Sequence, residues 1–128
     1  MEKRILIVDD EPDTSSALSA ALTSAGYGVQ TAADGKDAVC KANEFRPHLM
    51  LIDIGLPDGN GLRLARTLGM LHEAPVVIMT GRPSFDLEEP MSDNPYIKCV
   101  LFKPCSSRTL LKAVEESMGS PLAASAKL

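Results

Sequence analysis

ILIVDD, residues 5 to 10, sets four aliphatic side chains directly before two adjacent carboxylates, Asp9 and Asp10. An apolar run that does not alternate with polar residues is the pattern of a strand covered on both faces, as in a parallel sheet. Paired carboxylates at the end of such a strand repel each other and resist desolvation, so a fold that gathers them there does so around a cation. Three more runs of the same kind follow: LMLI at 49–52, VVIM at 76–79 and CVLF at 99–102. YGVQTA at 27–32 reads as a weaker strand, which makes five.

Stretches with helical spacing lie between these runs. Residues 14 to 25 place Ala17, Leu18, Ala21, Leu22 and Ala25 on one stripe, and Gly26 ends the helix. After Asp34 and Gly35, a second helix runs through Ala38, Val39, Ala42 and Phe45 and must end before Pro47. GNGLRLARTLGML, residues 59–71, gives a third, with Leu62, Leu64, Ala65, Leu68 and Leu71 toward the sheet. SSRTLLKAVEESMG, residues 106–119, gives the last, with Ser106 or Ser107 as N-cap and Gly119 as stop. Strands alternating with helices point to an α/β, doubly wound sheet. Between Thr80 and the last strand, Pro83, Pro90 and Pro95 allow only an irregular or shortened fourth helix, about two turns between Ser84 and Met91.

A chain of 128 residues holds one ordinary domain, read here as residues 1–119, with 120–128 (SPLAASAKL has no apolar period) as a flexible tail or linker. Hydrophobic residues at 45% and charged residues at 23% argue against disorder. The net charge of -4, with no Lys/Arg run, gives no footprint for nucleic acid. No run is long enough to span a membrane and the apolar stretch after MEKR is too short for a signal peptide, so no membrane partner and a cytoplasmic location are expected. Cys40, Cys99 and Cys105 form neither a disulfide framework nor a zinc pattern. His48 and His72 have no triad-like neighbours, and residues 58–61 (DGNG) are a turn rather than a calcium loop.

Ligands of open α/β sheets bind beyond the carboxyl ends of the strands. That rule selects Asp9 and Asp10 after strand one, Asp53 after strand three, Thr80 after strand four and Lys103 after strand five. Three carboxylates, a hydroxyl and an ammonium on one rim describe a Mg²⁺ site with an anion site beside it. An aspartate there can attack a phosphoryl group while Lys103 and Thr80 bind the transferred oxygens.

ILIVDDEP, LIDIGLPDGNG, VVIMTG and LFKP, in this order, resemble the receiver domain of two-component response regulators over residues 4 to about 118. The resemblance implies a flavodoxin-like five-stranded parallel sheet of order 2-1-3-4-5, with two helices on one face and three on the other. It makes Asp53 the phosphoacceptor, Asp10, Asp53 and the Gly55 carbonyl the metal ligands, and Asp9 the acid that holds a metal-bound water and Lys103. Thr80 is implied as the hydroxyl that turns toward the phosphoryl group and Lys103 as its counter-cation, with a cis Lys103–Pro104 bond. Implied partners are a histidine kinase or phosphotransfer protein and a downstream effector protein or domain. The expected role is a switch that gains and loses a phosphoryl group, rather than a turnover enzyme. Aspartate-dependent phosphatases carry an acid two residues past the nucleophile, where this chain has Gly55. Val100 stands where the family has an aromatic ring, which leaves as the alternative a receiver-like interaction module that does not switch by phosphorylation.

Overall fold

The five strands form where the apolar runs predict them: β1 (Arg4–Val8), β2 (Gly28–Ala32), β3 (Leu49–Asp53), β4 (Val76–Thr80) and β5 (Ile97–Phe102). All pair in parallel, in the order β2-β1-β3-β4-β5. The helices are α1 (Pro12–Ser24), α2 (Gly35–Phe45), α3 (Gly61–His72) and α4 (Ser107–Met118). The computed structural model describes residues 3–56, 61–81 and 94–119. The short helix expected between Ser84 and Met91 and the tail 120–128 lie outside the described residues.

Alternation along the three central strands divides the core in two. Leu6, Val8, Met50, Ile52, Val76 and Ile78 pack with Ala38 and Ala42 of α2 and Ala65 and Leu68 of α3. Ile5, Ile7, Leu49, Leu51, Val77 and Met79 pack with Leu18 and Leu22 of α1 and Leu110 and Val114 of α4. Burying each such aliphatic contributes about 1.5–3 kcal/mol, against roughly 1 kcal/mol net for a hydrogen bond, so the sandwiched sheet carries the stability. In β5 the pairing slips by one residue: Val76 pairs with Ile97 but Val77 with Cys99, which leaves Lys98 unpaired as a bulge.

Helix ends carry ordinary capping groups. Asp34 caps α2 by accepting the Asp37 N–H at 2.8 Å, and Ser106 caps α4 by accepting the Thr109 N–H at 3.1 Å. Gly26, at φ 100, turns the chain out of α1. Three expectations need correction. Helix α1 begins at Pro12, whose fixed φ suits a first helical position. Its inward stripe is Ser15, Leu18 and Leu22, while Ala17 and Ala25 are exposed; Ser15 tolerates burial because its Oγ donates to Asp9 O at 3.3 Å. Val39 and Leu71 are exposed too. At the end of α3 the face turned inward is Leu68 and Gly69, where a Cβ on Gly69 would meet Tyr96 Cβ at 3.0 Å, so Leu71 points away.

Candidate functional site

Parallel strands end on the same side of a sheet, so β1, β3, β4 and β5 deliver Asp9, Asp53, Thr80 and Lys103 to one rim. Backbone bonds extend the ladder into the site. The Asp9 N–H donates to Ala32 O at 3.0 Å, the Ile54 N–H to Met79 O at 3.1 Å and the Lys103 N–H to Thr80 O at 2.8 Å. Asp9, Asp53 and Thr80 are buried, whereas Asp10 is exposed.

Lys103 organises the charge. Its Nζ donates to Asp53 Oδ2 at 2.8 Å and to Glu11 Oε1 at 3.2 Å, and forms an ion pair with Asp9 Oδ2 at 2.7 Å. Asp53 Oδ1 accepts the Gly55 N–H at 2.9 Å, and Asp9 Oδ1 accepts the Glu11 N–H at 2.9 Å. Burial pushes the Asp9 carboxyl above the usual carboxylate range; the Lys103 ammonium and the Glu11 amide offset only part of that, and the Asp53 charge adds to it. For Lys103 burial acts to release the proton, but hydrogen bonds and charge from Asp53 and Asp9 outweigh it and raise the ammonium above the ordinary lysine range. The asymmetry is physical: one cation gains from every carboxylate around it, while each carboxylate receives a share of one cation.

Oxygen atoms of Asp9, Asp10 and Asp53 lie within 4.8 Å of one another. Asp9 Oδ2 is buried and, beyond its ion pair, has no aligned hydrogen bond. A set of hard carboxylate oxygens with an unsatisfied member fits Mg²⁺, which takes oxygen ligands and keeps several waters. The residues predicted for the site, Asp9, Asp10, Asp53, Thr80 and Lys103, are thus brought together. Gly55 lies two residues past Asp53 and is exposed, Lys103–Pro104 is cis, and Val100 packs, partly buried, against the core on the α2 and α3 side. His48 lies at the opposite end of the sheet, where its Nδ1 accepts the Arg4 N–H at 2.9 Å.

Two residues escaped the sequence reading. A Cβ on Gly61 would stand 2.3 Å from Asp53 O and 2.4 Å from Ile54 Cα, so only glycine lets α3 start against the backbone that carries Asp53. Nothing in the sequence marks that approach. Glu11 is the second; as the third acid in a row after β1 it offered a signal, but its contact with Lys103 spans 92 positions of sequence.

Comparison with known proteins agrees with this geometry. The family model described as the response regulator receiver domain matches residues 5–115. A response regulator receiver domain protein (CheY-like) from Methanospirillum hungatei JF-1 is 30% identical, with 92% of this chain and 94% of that one covered and a TM-score of 0.83. The chemotaxis response regulator CheY4 of Vibrio cholerae is 28% identical over 91% of this chain and 99% of its own, at a TM-score of 0.79. NtrX from Brucella abortus, 28% identical at a TM-score of 0.81, is covered over only 26% of its length by 92% of this chain.

Proposed function

The chain belongs to the response regulator receiver domain family, and from that premise we propose that it is a phosphoacceptor switch in which Asp53 takes a phosphoryl group from a histidine kinase or phosphotransfer protein. The observation that carries the reading is the Asp53 carboxylate: buried at the end of a central strand, hydrogen-bonded to Lys103 Nζ at 2.8 Å, and within 4.8 Å of two more carboxylates. Asp10, Asp53 and the Gly55 carbonyl would hold Mg²⁺, with Asp9 acting through a metal-bound water. When bound, the ion neutralises charge on the entering phosphoryl oxygens.

The chain's own groups do the rest. The Gly55 N–H fixes one oxygen of Asp53 and so orients the carboxylate. Lys103, held protonated by its acidic neighbours, supplies the positive charge that an oxyanion needs in a site largely shielded from water. The hydrogen bond from its backbone N–H to Thr80 O holds the end of β5 against the end of β4 and couples the backbones of the two residues. A group that gains and loses phosphate on its own aspartate is a switch and not a turnover enzyme, and its output is contact with an effector protein or domain. The same reading places it in the cytoplasm; no helix among the described residues is long and apolar enough to cross a membrane.

Acetyl phosphate with Mg²⁺, followed by intact-mass measurement, tests the reading. Wild type should gain one phosphoryl group and Asp53→Asn none; an equal gain in the mutant removes Asp53 from the role. One observation favours a second reading, a receiver-shaped module that does not switch: Val100 packs against the core and offers no ring to turn outward. A wild-type protein that takes no label would favour it.

A further inference from the structure

We infer that Glu11 is a positioning residue that retains Lys103 in the unphosphorylated state and thereby slows phosphoryl acceptance. The inference rests on the phosphoacceptor reading and adds to it a residue that limits how fast the acceptor is loaded.

Glu11 occupies the N-cap position of α1, where a short polar side chain would ordinarily accept a backbone N–H of the first turn. Its side chain makes no such cap. Instead Oε1 accepts from Lys103 Nζ at 3.2 Å, across the gap between the start of α1 and the end of β5. The backbone of Glu11 is fixed on both sides: its N–H donates to Asp9 Oδ1 at 2.9 Å and its carbonyl accepts the Ser15 N–H at 3.0 Å. The carboxylate is therefore delivered to the ammonium by a restrained backbone, although its side chain is 63% exposed.

An ammonium has three protons to donate. On Lys103 they face Asp53 Oδ2, Asp9 Oδ2 and Glu11 Oε1, so each direction already meets a carboxylate. When an Asp53 oxygen bonds to phosphorus, the donor's own bond to phosphorus breaks, P–O in acetyl phosphate or P–N in a phosphohistidine, and its electron pair leaves with the acetate or the imidazole. Lys103 must then turn a donor from a carboxylate to a phosphoryl oxygen. Asp9 is buried and has no other cation to meet it among the described contacts, so its loss would be costly. Glu11 can exchange Lys103 for water. It is the contact that gives way, and its exposed negative charge beside Lys103 also repels an anionic donor.

Glu11→Gln keeps the shape and removes the charge. Asp13→Asn is the control: Asp13 lines the same hollow beside α1 and the Lys103–Cys105 turn, but has no contact with Lys103. Labelling rates with acetyl phosphate and Mg²⁺ are measured by intact mass for wild type and both variants, with spontaneous loss of label followed after the donor is removed. Glu11→Gln should label roughly two- to fivefold faster, the range of one exposed charge contact. Asp13→Asn should change little, and Glu11→Asp, too short to keep the contact, should fall on the fast side. Equal rates in wild type and Glu11→Gln, slower labelling in Glu11→Gln, or an equal increase in Asp13→Asn each overturn the inference while leaving Asp53 as acceptor. Wild type that takes no label overturns the phosphoacceptor reading, and this inference falls with it.

Discussion

The two ends of the same sheet are built on opposite principles. At the amino end, Arg4, Asn94 and Tyr96 meet fixed partners. Arg4 Nε donates to Phe45 O at 2.8 Å and Nη2 to Arg46 O at 2.9 Å, with the guanidinium 6.0 Å from the Phe45 ring. Asn94 Oδ1 accepts the Tyr96 N–H at 2.8 Å, and Tyr96 O accepts the Val76 N–H at 2.7 Å. At the carboxyl end, three carboxylates meet one lysine with Asp10 beside them, and Asp9 stays desolvated. The first end ties neighbouring loops to the sheet; the second leaves charge concentrated at one rim, as binding and reactive sites do.

That contrast predicts opposite signs for equivalent changes. Gly61→Ala should have the largest effect, because its methyl meets backbone at 2.3 Å that cannot swing aside. Denaturant melts should show a loss of about 2–3 kcal/mol, and the displaced Asp53 loop should label more slowly. Arg4→Ala should lose about 1–2 kcal/mol while leaving labelling unchanged; a labelling defect there would break the division between the two ends.

Asp9→Asn should go the other way. The raised pKa of the folded carboxyl means that its favourable contribution is full below the unfolded value of 3.8 and is lost as pH rises through the folded value, so at neutral pH the charge is a net cost. In metal-free buffer the variant should melt roughly 2–5 °C higher than wild type, and that gain should shrink when Mg²⁺ is added. A lower Tm without metal would put Asp9 with the stabilising groups. The smallest effect concerns His48, whose folded pKa is depressed by burial and by Arg4 and Lys3. Its contribution is present above the unfolded pKa of 6.5 and lost as pH falls through the depressed folded value. Tm measured from pH 8 down to pH 5 should carry a small downward step that His48→Asn removes.

The strands were legible because burial on both faces removes alternation, as in Leu49 to Ile52, which are fully buried. The cap at Ser106 was legible because its bond reaches only three residues along the chain. The rim was legible through the rule that puts ligands beyond strand ends, which found Asp9, Asp10, Asp53, Thr80 and Lys103 without any contact being known. Ser15 in place of Ala17 was not, since a small helix face is decided by which hydroxyl finds a carbonyl. The role of Gly61 depends on a backbone approach that no side-chain pattern marks, and the acid run that includes Glu11 does not say which cation 92 positions away it meets.

The unpaired Lys98 in β5 makes the register of this edge strand a matter of parity. Before it, Ile97 faces the α2 and α3 side in step with Val76; after it, Cys99 and Leu101 face the α1 and α4 side in step with Val77 and Met79. The odd residue is what lets an apolar anchor at Ile97 and the rim lysine six positions later both reach their places. Removing one residue between Ile97 and Cys99 would force a choice: either Ile97 leaves its layer, or residue 103 loses the hydrogen bond from its N–H to Thr80 O. At this point the chain should tolerate many substitutions in its lettering and no change in its count.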